Sequence, residues 1–153
     1  MSEGLKLSQA YWHSSGISWV DAGISRFFPT GDYTQLRKDL VSKAITEDKF
    51  MVPFGSEKLG KMFDGKLPKL DRDVFIGSNE NIVSGGVFIS SPGKLSLVES
   101  AISTFVSEEL IQKQRIDNEQ IALAVIVEAN LNWFGMLPCY HAGAPSLIFD
   151  VAV

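Results

Sequence analysis

The chain is poor in several residue types that usually announce chemistry. It has one cysteine, Cys139, so no intrachain disulfide can form, which suits a reducing compartment. Basic residues are fewer than acidic ones, 14 Lys and Arg against 18 Asp and Glu, for a net charge of −4. That balance argues against a broad electrostatic grip on nucleic acid. A small anionic ligand remains compatible if a metal or a few basic groups offset its charge locally. The most apolar stretch, IALAVIVEANLNWF, is interrupted by Glu128 and Asn130 and is too short to span a bilayer. The opening residues, MSEGLKLSQAYW, lack both the basic and the apolar region of a signal peptide. The expectation is a soluble, cytoplasmic chain. No internal repeat, G-x-G-x-x-G, Walker A, H-E-x-x-H, C-x-x-C or G-x-S-x-G is present.

What is present reads as one globular domain over 1–153. The chain has 153 residues, 45% hydrophobic and 21% charged, enough for a genuine core but not for two comfortable domains. Ile17–Val20 is strand-like and ends on Asp21. FPTGD (28–32) is a turn. Apolar residues at Leu36, Leu40, Val41, Ala44 and Ile45 then recur at helical spacing, and Asp32 with Gln35 forms a candidate capping box. Lys49–Phe54 is a short strand. Residues 55–73 read as a long surface excursion.

Two more strands are expected in VFIG (74–77) and SGGVFISS (84–91). An amphipathic helix is expected from about Ser96 to Gln112, with Leu97, Ala101, Phe105 and Val106 inward and Glu99, Glu108 and Glu109 outward. A second helix starts at Asp117 and is apolar on nearly every side, so it must be covered all round. SLIFDVAV closes the chain as a strand. Short strands alternating with helices define an α/β fold, a layered mixed sheet flanked by helices. In such sheets ligand groups collect where strands end at their carboxyl edge.

Asp21 sits at such an edge, and it and the other candidate groups each have two readings. Asp21, followed by Ala22 and Gly23, can hold a divalent cation while an anionic ligand approaches the cleared backbone; it also suits a turn or helix cap. Asp117, Asn118 and Glu119 crowd the positive end of a helix, where capping by Asp117 with Gln120 explains part of the pattern and a sugar hydroxyl would find acceptors and amides. Ser84, Gly85 and Gly86 follow Asn79, Glu80 and Asn81; paired glycines admit a ligand or merely another strand. His141, in CYHAGAPS, is a candidate metal ligand or a satisfied, partly buried side chain. Trp19, Phe27 and Phe28 read as core rather than as a stacking platform for a base. His13 and Cys139 carry no clear partner.

Taken in order, WVDAGISRFF, SGGVFISSP, the long helix and DNEQIALA resemble the C-terminal part of a GT-A-type nucleotide-sugar glycosyltransferase. The resemblance is nearest to the bacterial HtrL/YibB-type group, with its W-x-D-A-G-x-x-R-F segment, and runs from about Trp19 to Asn130. It implies sugar transfer from a nucleotide-sugar donor to a glycan acceptor in bacterial surface-polysaccharide synthesis, with Mn²⁺ or Mg²⁺ bridging the donor phosphates.

Carried over by position, the resemblance gives Asp21 the metal, with His141 in H-x-G-x-P as a second ligand. Ser84, Gly85, Gly86 and Asn118 would contact substrate, and Asp117 or Glu119 would serve catalysis. WVDAG has one acid where the family's D-x-D has two, so the cation needs a further ligand. The family also places a nucleotide-binding half ahead of this segment, whereas 18 residues precede Trp19 here; a piece of a longer transferase is one expectation. No membrane span is expected, and a homo-oligomer is allowed. The alternatives are a non-catalytic α/β binding or interaction protein, and a metal-dependent hydrolase using Asp21, Glu80 and His141.

Overall fold

A computed structural model describes residues 15–20, 33–53, 83, 85–115, 119–137 and 149–151. Its strands are β1 (Ile17–Val20), β2 (Tyr33–Leu36), β3 (Phe50–Pro53), β4 (Val87–Ser90), β5 (Phe134–Leu137) and β6 (Phe149–Val151). Its helices are α1 (Lys38–Thr46), α2 (Pro92–Phe105), which runs on into a π-helical segment Val106–Ile111, and α3 (Glu119–Ala129). The fold is α/β, with a four-stranded mixed sheet flanked by helices. Its strand order is β1-β4-β3-β5, and β2 pairs with β6 in a separate two-stranded sheet. No helix among the described residues is long and apolar enough to cross a membrane.

Strand direction decides where a site can form. β4 runs antiparallel to both β1 and β3, while β3 and β5 are parallel, from Phe50↔Phe134 to Pro53↔Leu137. β1, β3 and β5 therefore all point one way and end at one rim, where β4 begins. Val20, the last residue of β1, stands opposite Val87, the first of β4.

The two central strands, β3 and β4, are buried along their whole length and read in sequence as unbroken apolar runs because both faces are covered. Alternation sorts their side chains between two clusters. Phe50, Val52 and Phe88 face α2 and α3, meeting Leu95, Val98, Phe105 and Ile121; Phe134 of β5 joins them. Met51, Val87 and Ile89 face α1 and β6, meeting Leu40, Ala44 and Phe149. On the first face Phe50 stacks on Phe88 at 4.8 Å and meets Phe134 edge-on at 5.6 Å, both favoured aromatic arrangements. Each fully buried side chain of this size contributes roughly 1.5–3 kcal/mol.

α3 is enclosed as its sequence requires: Ile121 to Val127 are all buried. α2 starts earlier than expected, at Pro92, because Ser91 caps it. The Ser91 Oγ accepts a hydrogen bond from the Lys94 amide at 3.3 Å, and proline suits the first turn, where no intrahelical donor is needed. Its buried residues are Leu95, Val98 and Phe105; Leu97, expected inside, is exposed, since the packed stripe runs in a different phase.

The capping box expected at Asp32 and Gln35 does not start α1. Gln35 lies in β2 opposite Asp150, and α1 begins at Lys38 with Arg37 in the cap position and no side-chain cap bond. Pairing with the final strand draws residues 33–36 into extended form. That final strand, expected from SLIFDVAV, is present as β6. The expected strand at 74–77 and the excursion at 55–73 lie outside the described residues.

α1 ends in a left-handed turn. Asp48 has φ 50°; its amide donates to the Ile45 carbonyl at 3.3 Å and the Lys49 amide donates to the Ala44 carbonyl at 2.9 Å. This is a Schellman closure with aspartate where glycine is usual. The Asp48 side chain then reaches α2. Oδ1 accepts from the Ser91 hydroxyl at 2.5 Å and Oδ2 pairs with Lys94 Nζ at 3.0 Å. The Ser91 hydrogen bond, aided by Lys94, holds the Asp48 carboxyl below its usual range. One residue on, Lys49 Nζ donates to the Asn132 carbonyl at 2.5 Å, tying the entrance of β3 to the turn before β5.

Candidate functional site

Two of the candidate segments lie at the rim where β1, β3 and β5 end. Gly85 and Gly86 form the half-buried bend leading into β4, and Glu119 is the exposed first residue of α3. The fold brings these together. A Cβ built on Gly85 would lie 3.5 Å from Glu119 Oε1, 3.6 Å from its Cγ and 3.8 Å from Gln120 Cγ. With no side chain at 85, the Glu119 and Gln120 side chains pack over the backbone there, and one Glu119 carboxylate oxygen lies against it. Chemically, such a pairing offers an acceptor for hydroxyl protons at the rim.

Of the other candidates, Asp21, Ser84, Asp117, Asn118 and His141 lie outside the described residues, as do Glu80, Cys139 and His13. Among the described residues no three His, Cys, Asp or Glu side chains gather as a metal site would require. The described part of the rim thus supplies Glu119 and the glycine bend, and the cation ligands expected at Asp21 and His141 remain expectations.

Trp19 departs from expectation. Read as core, it is half exposed, at 50%, and neighbouring Val20 is 41% exposed. Among the described residues β1 is an outer strand of its sheet, paired with β4 on one side.

Two open grooves lie elsewhere. One, about 220 Å³, runs between Ser15–Ser18, Val41, Ile45, Ile89 and Ser90, at the end of β1 away from Val20, and among the described residues no ionisable side chain lines it. The other, about 230 Å³, lies between the α2 extension and the C-terminal turn of α3, with Glu108 and Glu109 on its border. Neither is lined by Gly85, Gly86 or Glu119.

Comparison of the chain with protein-family models, curated proteins and solved structures returns no match.

Proposed function

We propose that this chain is a glycosyl-transfer domain of GT-A type, moving a sugar from a nucleotide-sugar donor to a glycan acceptor in bacterial surface-polysaccharide synthesis. One observation carries the reading. The Gly85–Gly86 bend and Glu119, far apart in sequence, meet at the rim where three strands end, and they are two of the segments on which the resemblance rests.

In this reading the glycine bend lets a sugar ring approach the backbone, and Glu119 receives the hydroxyl of the attacking acceptor. The acceptor oxygen forms a bond to the anomeric carbon as that carbon's bond to the diphosphate oxygen breaks; the hydroxyl proton passes to the Glu119 carboxylate. A bound Mn²⁺ or Mg²⁺, with Asp21 and His141 as proposed ligands, would neutralise charge on the departing diphosphate. Holding donor and acceptor in register supplies much of the remaining acceleration.

Calorimetric titration with Mn²⁺ and a panel of uridine and guanosine diphosphate sugars tests this. Donor binding that requires the metal and disappears in Asp21→Ala, with transfer abolished in Glu119→Gln at unchanged donor affinity, is the expected result. A second reading has its own support. Glu119 sits in the first turn of α3, where the helix dipole favours an acid regardless of function, as in a non-catalytic binding protein. Absence of donor binding, with Glu119→Gln lowering only the melting temperature, would favour it.

A further inference from the structure

Trp19 is half exposed on β1, an outer strand among the described residues. Open sheet edges are normally guarded by lysine, proline or a bulge; β1 is Ile-Ser-Trp-Val, in unbroken register with β4. Trp19 stands opposite Phe88, Phe88 stacks on Phe50, and Phe50 meets Phe134. The exposed indole thus stands across the ladder from the first of three buried aromatic residues, on a strand held by its pairing with β4 and by Ile17, which packs against the core. Alternation puts Trp19 on the face of the sheet shared with Ile17, and Ile17 packs against the cluster that includes α3. Glu119 opens α3, so indole and carboxylate occupy the same side of the sheet. They also occupy the same rim, because Trp19 is one residue from the end of β1 and the Gly85–Gly86 bend adjoins Val87, opposite Val20.

A planar apolar surface and a carboxylate at one rim match the chemistry of a pyranose ring. Such a ring has one face rich in C–H groups and a perimeter of hydroxyls. The C–H face lies against an aromatic plane, and the hydroxyls donate to a carboxylate. We propose that Trp19 is a stacking platform for a pyranose of the glycan acceptor, with Glu119 receiving a hydroxyl of the same sugar. The inference rests on the glycosyl-transfer reading for the identity of the sugar's role, and on the exposed indole for its place. A second copy of the chain laid along the β1 edge is the competing occupant.

The test uses the whole chain and methyl pyranosides, without nucleotide or metal. Titration is followed by the indole N–H resonance of Trp19, assigned by its disappearance in Trp19→Phe. The expected result is a saturable shift of that resonance, and affinity reduced roughly three- to tenfold or more in Trp19→Ala but largely kept in Trp19→Phe. Glu119→Gln should weaken binding as well. If the wild-type Trp19 resonance does not move with any pyranoside, the proposal is overturned, whether or not Trp19→Ala folds. A dimer that Trp19→Ala dissociates, indifferent to pyranosides, also overturns it and assigns the strand to a self-interface. Pyranoside binding without any nucleotide-sugar binding would leave this inference standing while the transferase reading fails. Transfer that proceeds unchanged in Trp19→Ala would do the reverse.

Discussion

Replacing Asp48 separates two effects that the wild-type residue combines: a left-handed turn and a cross-link to α2. In the left-handed region an ordinary L-residue loses about 1–2 kcal/mol, less for aspartate, whose short polar side chain tolerates it. The carboxylate also bonds Ser91 and Lys94. Since the Asp48 side chain is 59% exposed, the Lys94 pair is worth only about 0.2–1 kcal/mol and the Ser91 bond about 1 kcal/mol. Asp48→Asn keeps the turn and a neutral bond to Ser91, so it should cost about 0.5 kcal/mol. Asp48→Gly loses both side-chain contacts, while relief of the turn roughly offsets glycine's extra unfolded freedom; the net is about 1–1.5 kcal/mol. Asp48→Ala loses the contacts and keeps the backbone strain, for about 2–2.5 kcal/mol. Urea denaturation at neutral pH reads these differences directly, and thermal melting should follow at roughly 2–4 °C per kcal/mol for a chain of this size. Alanine no worse than glycine would refute the role of the left-handed turn. An alanine variant within experimental scatter of wild type would refute the cross-link as well.

The same carboxyl predicts an acid limb. Because the folded-state pKa of Asp48 is depressed, chiefly by the Ser91 hydrogen bond and then by Lys94, its contribution is complete above the ordinary aspartate value of 3.8 and lost as pH falls through the lower folded value. The stability gap between wild type and Asp48→Asn should accordingly close below about pH 4 in urea titrations; a gap constant down to strong acid would contradict this. Gly135→Ala should destabilise by roughly 1–3 kcal/mol in denaturation, since its methyl would overlap the sulfur of Met51, which is fully buried; a neutral result would mean that β5 and β3 are less closely packed than described. Gly85→Ala should fold normally, its methyl making ordinary contacts at 3.5–3.8 Å, yet weaken ligand binding by crowding Glu119. Unaltered calorimetric affinity would remove the glycine bend from the site. Phe50→Ala, at the centre of the aromatic series, should cost about 3–5 kcal/mol by the same denaturation assay, and a loss under 1 kcal/mol would deny that this series organises the core.

The features legible in sequence were those set by local pattern. β3 and β4 showed as apolar runs, and α3 as a helix apolar on every side, because burial on all faces leaves no periodicity to misread. Partner-dependent features were not legible. Gln35 obeys a capping signature, yet its segment became a strand once Phe149–Val151 lay beside it; no local rule reports a partner more than a hundred residues away. Leu97 was placed inward on helical spacing, but the stripe that packs is Leu95, Val98 and Phe105, a choice made by the sheet beneath. Trp19 was assigned to the core on residue type alone; it is half exposed on β1, an outer strand among the described residues, a position that strand order decides. At the rim, the meeting of Gly85 with Glu119 was anticipated only as two separate motifs. The Ser91–Asp48–Lys94 cross-link gave a fainter signal, a Ser-Pro pair opening a helix, with nothing to indicate Asp48.

The all-round enclosure of α3 also constrains how the chain can reach its native state. Seven successive buried residues, Ile121 to Val127, form a greasy cylinder that no single neighbour can shield. During synthesis β1, β3, β4 and α2 leave the ribosome first, but β5, which supplies Phe134 to the same cluster, emerges afterwards. For that interval the cylinder has an incomplete sleeve, and exposed apolar surface of this kind is prone to aggregate. Substitutions that slow β5 docking should therefore appear first as insoluble protein in the cell, ahead of any change in the purified molecule's equilibrium stability.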